Sequence, residues 1–265
     1  MTWFGALKRW RRARVLRATH IDEPLWQRTV QRYACTRALT AQESRRLRDW
    51  VLLFLHDKAI HGARGLMVDD EMRLAIAVQA CMLILGLDLD YYRGWVEIIV
   101  YPDEFVARYD YVDEDGVAHA VAEPMTGESW MHGPVIVSWA DAGKTSESPY
   151  NVVIHEFAHK LDMLNGAANG FPPLHRDMSR QEWADAFGAA YADFCKRVDD
   201  FGSELPMDEY AAESPAEFFA VTTETFFEAP LELKAFYPAI YEQLSRFFRQ
   251  DPAARVGACA IGTLS

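Results

Sequence analysis

Apolar residues recur at helical spacing through most of this chain. They predict helices near 23–34, 41–57, 69–86, 149–164, 180–199, 215–227 and 237–250. Thr40 and Glu43 have the spacing of a capping box, which would open the second of these. Residues 75–87 are almost continuously apolar but include Gln79, and the run is too short to span a bilayer, so it reads as a buried helix. Between the third and fourth helices the pattern changes. Residues 96–101 and 134–139 read as strands, and 105–122 read as a hairpin turning at Asp113-Glu114-Asp115-Gly116. The expected class is α+β, mainly helical, with a small mixed sheet beside the helix at 149–164.

That helix carries the chemistry. Val152, Val153, Ile154, Phe157, Ala158 and Leu161 are apolar, with Ser148-Pro149 as a start signal and Asn165-Gly166 as a stop. Within it lies His155-Glu156-Phe157-Ala158-His159. Residues four apart share a helical face, so both imidazoles can reach one metal ion. Glu156 follows the first histidine and is placed to take a proton from water beside that ion. The plainer reading is a helix with two surface histidines, but so apolar a helix exposes little.

A catalytic zinc site needs a third protein ligand. The extended motif would place a Gly at 162 and a His at 165; here they are Asp and Asn, which excludes that class. A glutamate from a later helix is the remaining common solution. Glu182, Glu204, Glu209, Glu213, Glu217 and Glu224 are candidates, and His175, in a proline-rich loop, competes. Glu217 opens an apolar helix able to pack beside the motif. Ser214-Pro215-Ala216-Glu217 is equally a capping box, so the local pattern leaves ligand and cap open. Asp162 lies three residues after His159, and Glu224 seven after Glu217. Each is placed to accept the distal N–H of a ligand histidine, and each has the alternative of facing solvent.

The stretch from Tyr210 through Glu217 to Ala220, taken with His155-Glu156-Phe157-Ala158-His159-Lys160-Leu161-Asp162, resembles the Mlc titration factor A family of bacterial zinc-dependent peptidases. The resemblance extends to Val96 and the residues up to Pro102, to Gly133 and the residues up to Trp139, and to Phe247 through Pro252, and so covers roughly residues 20–255. It implies a zincin-like fold and one zinc per chain, held by His155, His159 and Glu217. It also implies Glu156 as general base, Tyr210 as a catalytic helper, and aminopeptidase-like activity. The tyrosine-to-glutamate spacing recurs in the metalloprotease domain of anthrax lethal factor. In zinc peptidases of this kind an edge strand beside the motif helix pairs with substrate backbone. Val135, Ile136, Val137, Ser138 and Trp139 are the candidates here, with an ordinary core strand as the alternative. The family is named for binding Mlc, a repressor of glucose-uptake genes, so an Mlc-like repressor is an implied partner beside the peptide substrate. A non-enzymatic protein that sequesters such a repressor is the competing function.

Charge narrows the choice. The first 20 residues contain Lys8, Arg9, Arg11, Arg12, Arg14 and Arg17 and no acid, while the whole chain is −12. The remainder is therefore strongly acidic and repels nucleic acid, which argues against direct DNA binding. Residues 1–20 are expected to be a flexible basic segment, frayed in solvent or touching anionic lipid or a partner; residues 21–265 are expected to be one metallopeptidase domain. No secretory signal or membrane span is evident, and Cys35, Cys81, Cys195 and Cys259 are scattered without a C-x-x-C pair. Reduced thiols and a cytoplasmic location are expected.

Overall fold

A computed structural model describes residues 3–112, 118–125, 127–129, 133–144, 150–200 and 205–262. Its elements run in the order α1 (Trp3–Ala18), α2 (Glu23–Arg32), α3 (Ala34–Arg37), α4 (Ala41–Asp57), β1 (Ala59–Gly62), α5 (Asp70–Leu83), β2 (Glu97–Tyr101), β3 (Phe105–Val112), β4 (Ala118–Met125), β5 (Gly127–Ser129), β6 (Val135–Ser138), α6 (Trp139–Ala142), α7 (Val152–Asp162), α8 (Arg180–Asp199), α9 (Pro215–Glu228), α10 (Pro230–Phe236), α11 (Pro238–Phe248) and α12 (Pro252–Gly262). The fold is mainly helical α+β.

One sheet has the strand order β1-β2-β6-β5. β1, β2 and β6 run parallel, and β5 is antiparallel to β6. β3 and β4 pair separately as the expected antiparallel hairpin, with Phe105 opposite Met125 and Val112 opposite Ala118; the turn at 113–117 lies outside the described residues. β1 has no sequence signature because four residues, two of them exposed, show no alternation.

Helix α7 runs through the middle. It packs against α5, α9, β5 and β6, and every residue from Val152 to Asp162 is buried. Its start differs from expectation. The helix begins at Val152, and the side chain of Asn151 caps it by accepting from the Ile154 amide at 3.0 Å. Ser148 and Pro149 lie outside the described residues. After α7 a short 3-10 turn, Met163–Asn165, ends at Gly166 with φ 149, a conformation that glycine adopts without strain. Phe157 projects from α7 into a ring cluster with Phe54, Tyr92 and Trp95, its centroid 5.1–5.8 Å from theirs. These contacts, edge-on to Tyr92 and Trp95 and tilted to Phe54, fix the rotation of α7 about its axis.

Within the basic N-terminal segment, residues 3–18 are helical. Arg12 makes a two-pronged pair with Asp88 at 3.0 and 2.8 Å, and Lys8 reaches Asp90 at 2.6 Å. Two of the six cations thus meet acids some eighty residues away.

Candidate metal centre

Helices α7 and α9 lie side by side, and the three expected ligands converge between them. His155 Nε2 lies 3.0 Å and His159 Nε2 3.3 Å from Glu217 Oε2, and the two Nε2 atoms are 3.1 Å apart. The two imidazole planes stand at 80°. Among the described residues these three form a group able to hold a metal ion. Ser214 is the cap of α9, and Glu217, three residues on, does not close the expected capping box with its carboxylate. Its backbone N–H donates to Ser214 Oγ at 3.2 Å, while its carboxylate turns toward the histidines. Cap and ligand are compatible.

The arrangement fits a cation. His155 Nδ1 is engaged by Glu224 Oε1 at 2.8 Å, which places a ring proton on Nδ1, so that in the neutral ring the Nε2 lone pair faces the centre. Glu224 is held in turn by the backbone N–H of Asn151. Burial pushes the Glu224 carboxyl upward, opposed by His155 and Asn151. For His155, burial disfavours the charged ring, but Glu217 and Glu224 overcome it and hold its pKa well above the usual value. Burial opposes ionisation of Glu217 too; His155 and His159 outweigh it and hold the carboxyl low. Two buried imidazoles and a partly buried carboxylate with so much mutual polarisation have the chemistry of a divalent-metal site.

Glu156 points to the sheet side of this centre. It is 4 % exposed. Burial raises its pKa, with His155 and His159 pulling the other way. Its carboxylate rests directly on Gly127 of β5: a Cβ there would fall 2.3 Å from Oε1 and 2.6 Å from Cγ. Ser129, two residues on, donates its hydroxyl to the Glu156 backbone carbonyl at 3.1 Å. The sequence reading missed Gly127, Ser129 and Asn151. Three residues of β5 give no periodic signal, and Gly127 reads locally as one more turn glycine.

Tyr210 sits in a 3-10 turn, Glu209–Ala212, capped by Asp208. Its ring centroid is 6.1 Å from that of His155, and the residue is 42 % exposed, at the mouth of the site. His175 is elsewhere: its Nε2 meets the Phe247 carbonyl at 2.8 Å.

Two expectations are corrected here. Asp162 is fully buried but makes no hydrogen bond to His159. Its Oδ2 accepts from the amides of Asn169 and Gly170, both at 2.7 Å, because the chain doubles back over it after Gly166. Gly170 in turn lies so close to the Pro215 carbonyl that a Cβ would come within 2.4 Å, so Asp162 ties the end of α7 to the start of α9. The second correction concerns Val135, Ile136, Val137 and Ser138. They form β6, which is paired with β2 on one side and β5 on the other, so its backbone is already satisfied. Trp139 begins α6. The sheet edge beside the motif helix is β5, which crosses in front of Glu156.

A family model described as glucose-regulated metallo-peptidase M90 matches residues 7–249. The chain belongs to that family. Its similarity to individual members is broad. It is 38% identical to a Mlc titration factor A of Serratia proteamaculans (strain 568) over 206 residues, 76% of this chain and 78% of that one. It is 37% identical to a Mlc titration factor A of Salmonella typhi over 227 residues, 84% of each chain. A third Mlc titration factor A, from Salmonella arizonae, is 38% identical over 223 residues, covering 82% of this chain and 88% of the relative. The M90 match spans α7 and α9, and with them every residue of the candidate metal centre.

Proposed function

We propose that this chain is a zinc-dependent peptidase of gluzincin type, aminopeptidase-like, acting on peptides in the cytoplasm. The observation that carries the reading is the convergence of His155, His159 and Glu217 with a buried glutamate immediately beside them. When bound by these three side chains, zinc supplies Lewis acidity that polarises a carbonyl and acidifies water. Zinc rather than a harder cation suits a set of two imidazoles and one carboxylate.

The protein's own groups do the rest. Glu156, raised in pKa by burial, accepts a proton from the attacking water and passes it to the leaving amine nitrogen. Gly127 lets its carboxylate lie flat against β5 while it does so. Glu224 keeps His155 in the tautomer whose Nε2 faces inward. Tyr210, at the mouth, donates a hydrogen bond to the substrate oxygen as negative charge develops there. Among the described residues β5 is paired on one side, and its other side would offer main-chain groups to an extended peptide, so binding depends little on side-chain sequence.

A second reading is kept because of the relatives' name. Proteins called Mlc titration factor A are 37–38% identical to this chain, and a chain of this kind could act by binding an Mlc-like repressor. Glu156→Gln separates the two readings. It removes the base and keeps the shape, so hydrolysis of unstructured peptides should fall by roughly 10²–10⁴-fold while repressor binding is retained. Hydrolysis by the variant at the wild-type rate would remove Glu156 as the base, and a wild type that hydrolyses nothing would leave only the binding role.

A further inference from the structure

Helix α1 has two faces of different character. The inner one docks: Lys8 and Arg12 meet Asp88 and Asp90, and the Arg12 guanidinium lies 5.1 Å over the Trp50 ring. The outer one carries Trp10, Arg14 and Arg17 on one stripe, flanked by Arg9 and Arg11, and all five are exposed. Trp10 is 54 % exposed, with Arg14 stacked 5.9 Å from its ring. Among the described residues no carboxylate pairs with Arg9, Arg11, Arg14 or Arg17. Along one edge of the helix opens a groove of about 900 Å³. Arg11, Arg14 and Arg93 stand on its rim, and Leu53, Phe54 and Tyr92 are among its apolar lining.

We propose that α1 and this groove dock on an anionic phospholipid surface. A short helix held rigidly on a folded body, with arginines and an indole on its free face, has the chemistry of an interfacial element. Arginines near an anionic leaflet attract its headgroups, each by about fivefold in partitioning. The groove is also lined by Asp57 and Asp90, the latter paired with Arg93, so the attraction to a headgroup falls on Arg11 and Arg14 beside the exposed Trp10. The rest of the chain is strongly acidic in sum, which favours the α1 side as the face that approaches such a surface. A flat membrane meets one side of the molecule, whereas a long duplex passing a helix of about 24 Å also runs beside acidic surface.

The test uses the full-length metal-loaded protein and vesicles made of equal amounts of phosphatidylglycerol and phosphatidylcholine, with pure phosphatidylcholine as the control. The protein should sediment with the anionic vesicles at low salt and not with the neutral ones, and salt should release it. The combined variant Arg9→Gln, Arg11→Gln, Arg14→Gln, Arg17→Gln should partition at least about a hundredfold less, with helix content unchanged by circular dichroism. If that variant does not fold, the single change Trp10→Ala, at an exposed site, should still weaken sedimentation measurably. Equal binding to neutral vesicles, no binding to anionic ones, or no loss in the variants would overturn the proposal. So would duplex DNA binding as tightly as the vesicles at equal phosphate concentration.

Discussion

The carboxylate of Glu156 occupies the space where a side chain at Gly127 would begin. A Cβ there would lie 2.3 Å from Oε1, 2.6 Å from Cγ and 2.7 Å from Cδ. Glu156 is buried, so the displaced carboxylate has little free volume to enter. Gly127→Ala is therefore expected to misplace the base and leave the three metal ligands, on α7 and α9, where they are. Turnover should fall by about 10²-fold or more, with metal content unchanged by elemental analysis. Normal turnover in Gly127→Ala would show that Glu156 relocates without penalty.

Glu224 determines how His155 presents itself. Its Oε1 meets His155 Nδ1 at 2.8 Å, and its other oxygen accepts the Asn151 amide. Glu224→Gln keeps the volume but removes the charge, and it forces an NH2 group toward one of these two donors. Metal affinity should drop by about 10–100-fold, measured by competition with a chelator. An unchanged Kd would reduce Glu224 to a packing residue.

Tyr210→Phe removes one hydroxyl at the mouth of the site and leaves the ring beside His155. The bond it makes forms as charge builds on the substrate oxygen, so kcat should fall by up to about 10²-fold with KM little changed. Steady-state kinetics on a short peptide decide the matter; equal kcat would make Tyr210 a rim aromatic only.

Lys58 carries a pH signature remote from the metal. Its Nζ donates to the carbonyls of Tyr92 and Trp95 and lies 3.9 Å over the Trp95 ring. Burial pushes its pKa down to about 8, from 10.5. Between those values the unfolded chain holds the proton more firmly than the fold does, so this lysine's contribution to stability grows as pH rises through that window. Lys160, lowered to about 8 by burial, adds the same sign. Lys58→Met should cost about 1–3 kcal/mol by leaving two carbonyls unpaired. In urea unfolding it should also show a smaller gain in stability from about pH 8 to about pH 10 than the wild type. Parallel pH curves would contradict the assignment.

Helices α2, α4, α5, α7, α8, α9 and α11 were legible because each carries its own pattern or cap, whereas α1, α3, α6, α10 and α12 were not. Thr40 and Glu43 form the expected capping box, and the apolar run after Asp69 became the buried α5. His155 and His159 were legible as a pair because four residues span one helical turn. Glu217 was not decidable locally, since a glutamate three residues after Ser214 can turn its carboxylate back to close a capping box or outward to the histidines, and only the fold shows the second. What the chain order concealed were contacts across long separations: Gly127 under Glu156, Asp88 under Arg12, and the pairing of β5 outside β6. Asp162 misled for a related reason. Its spacing from His159 suggested a bond to that ring, but the chain returning at Asn169 and Gly170 supplied two amides.

The proposed chemistry depends on one ion held by His155, His159 and Glu217. Elemental analysis of the purified wild type and of Glu217→Ala, both confirmed folded by circular dichroism, tests this directly. One equivalent of zinc is expected in the wild type and little or none in the variant, with peptide hydrolysis lost in parallel. Full zinc occupancy in folded Glu217→Ala would remove Glu217 from the ligand set and contradict the proposed centre.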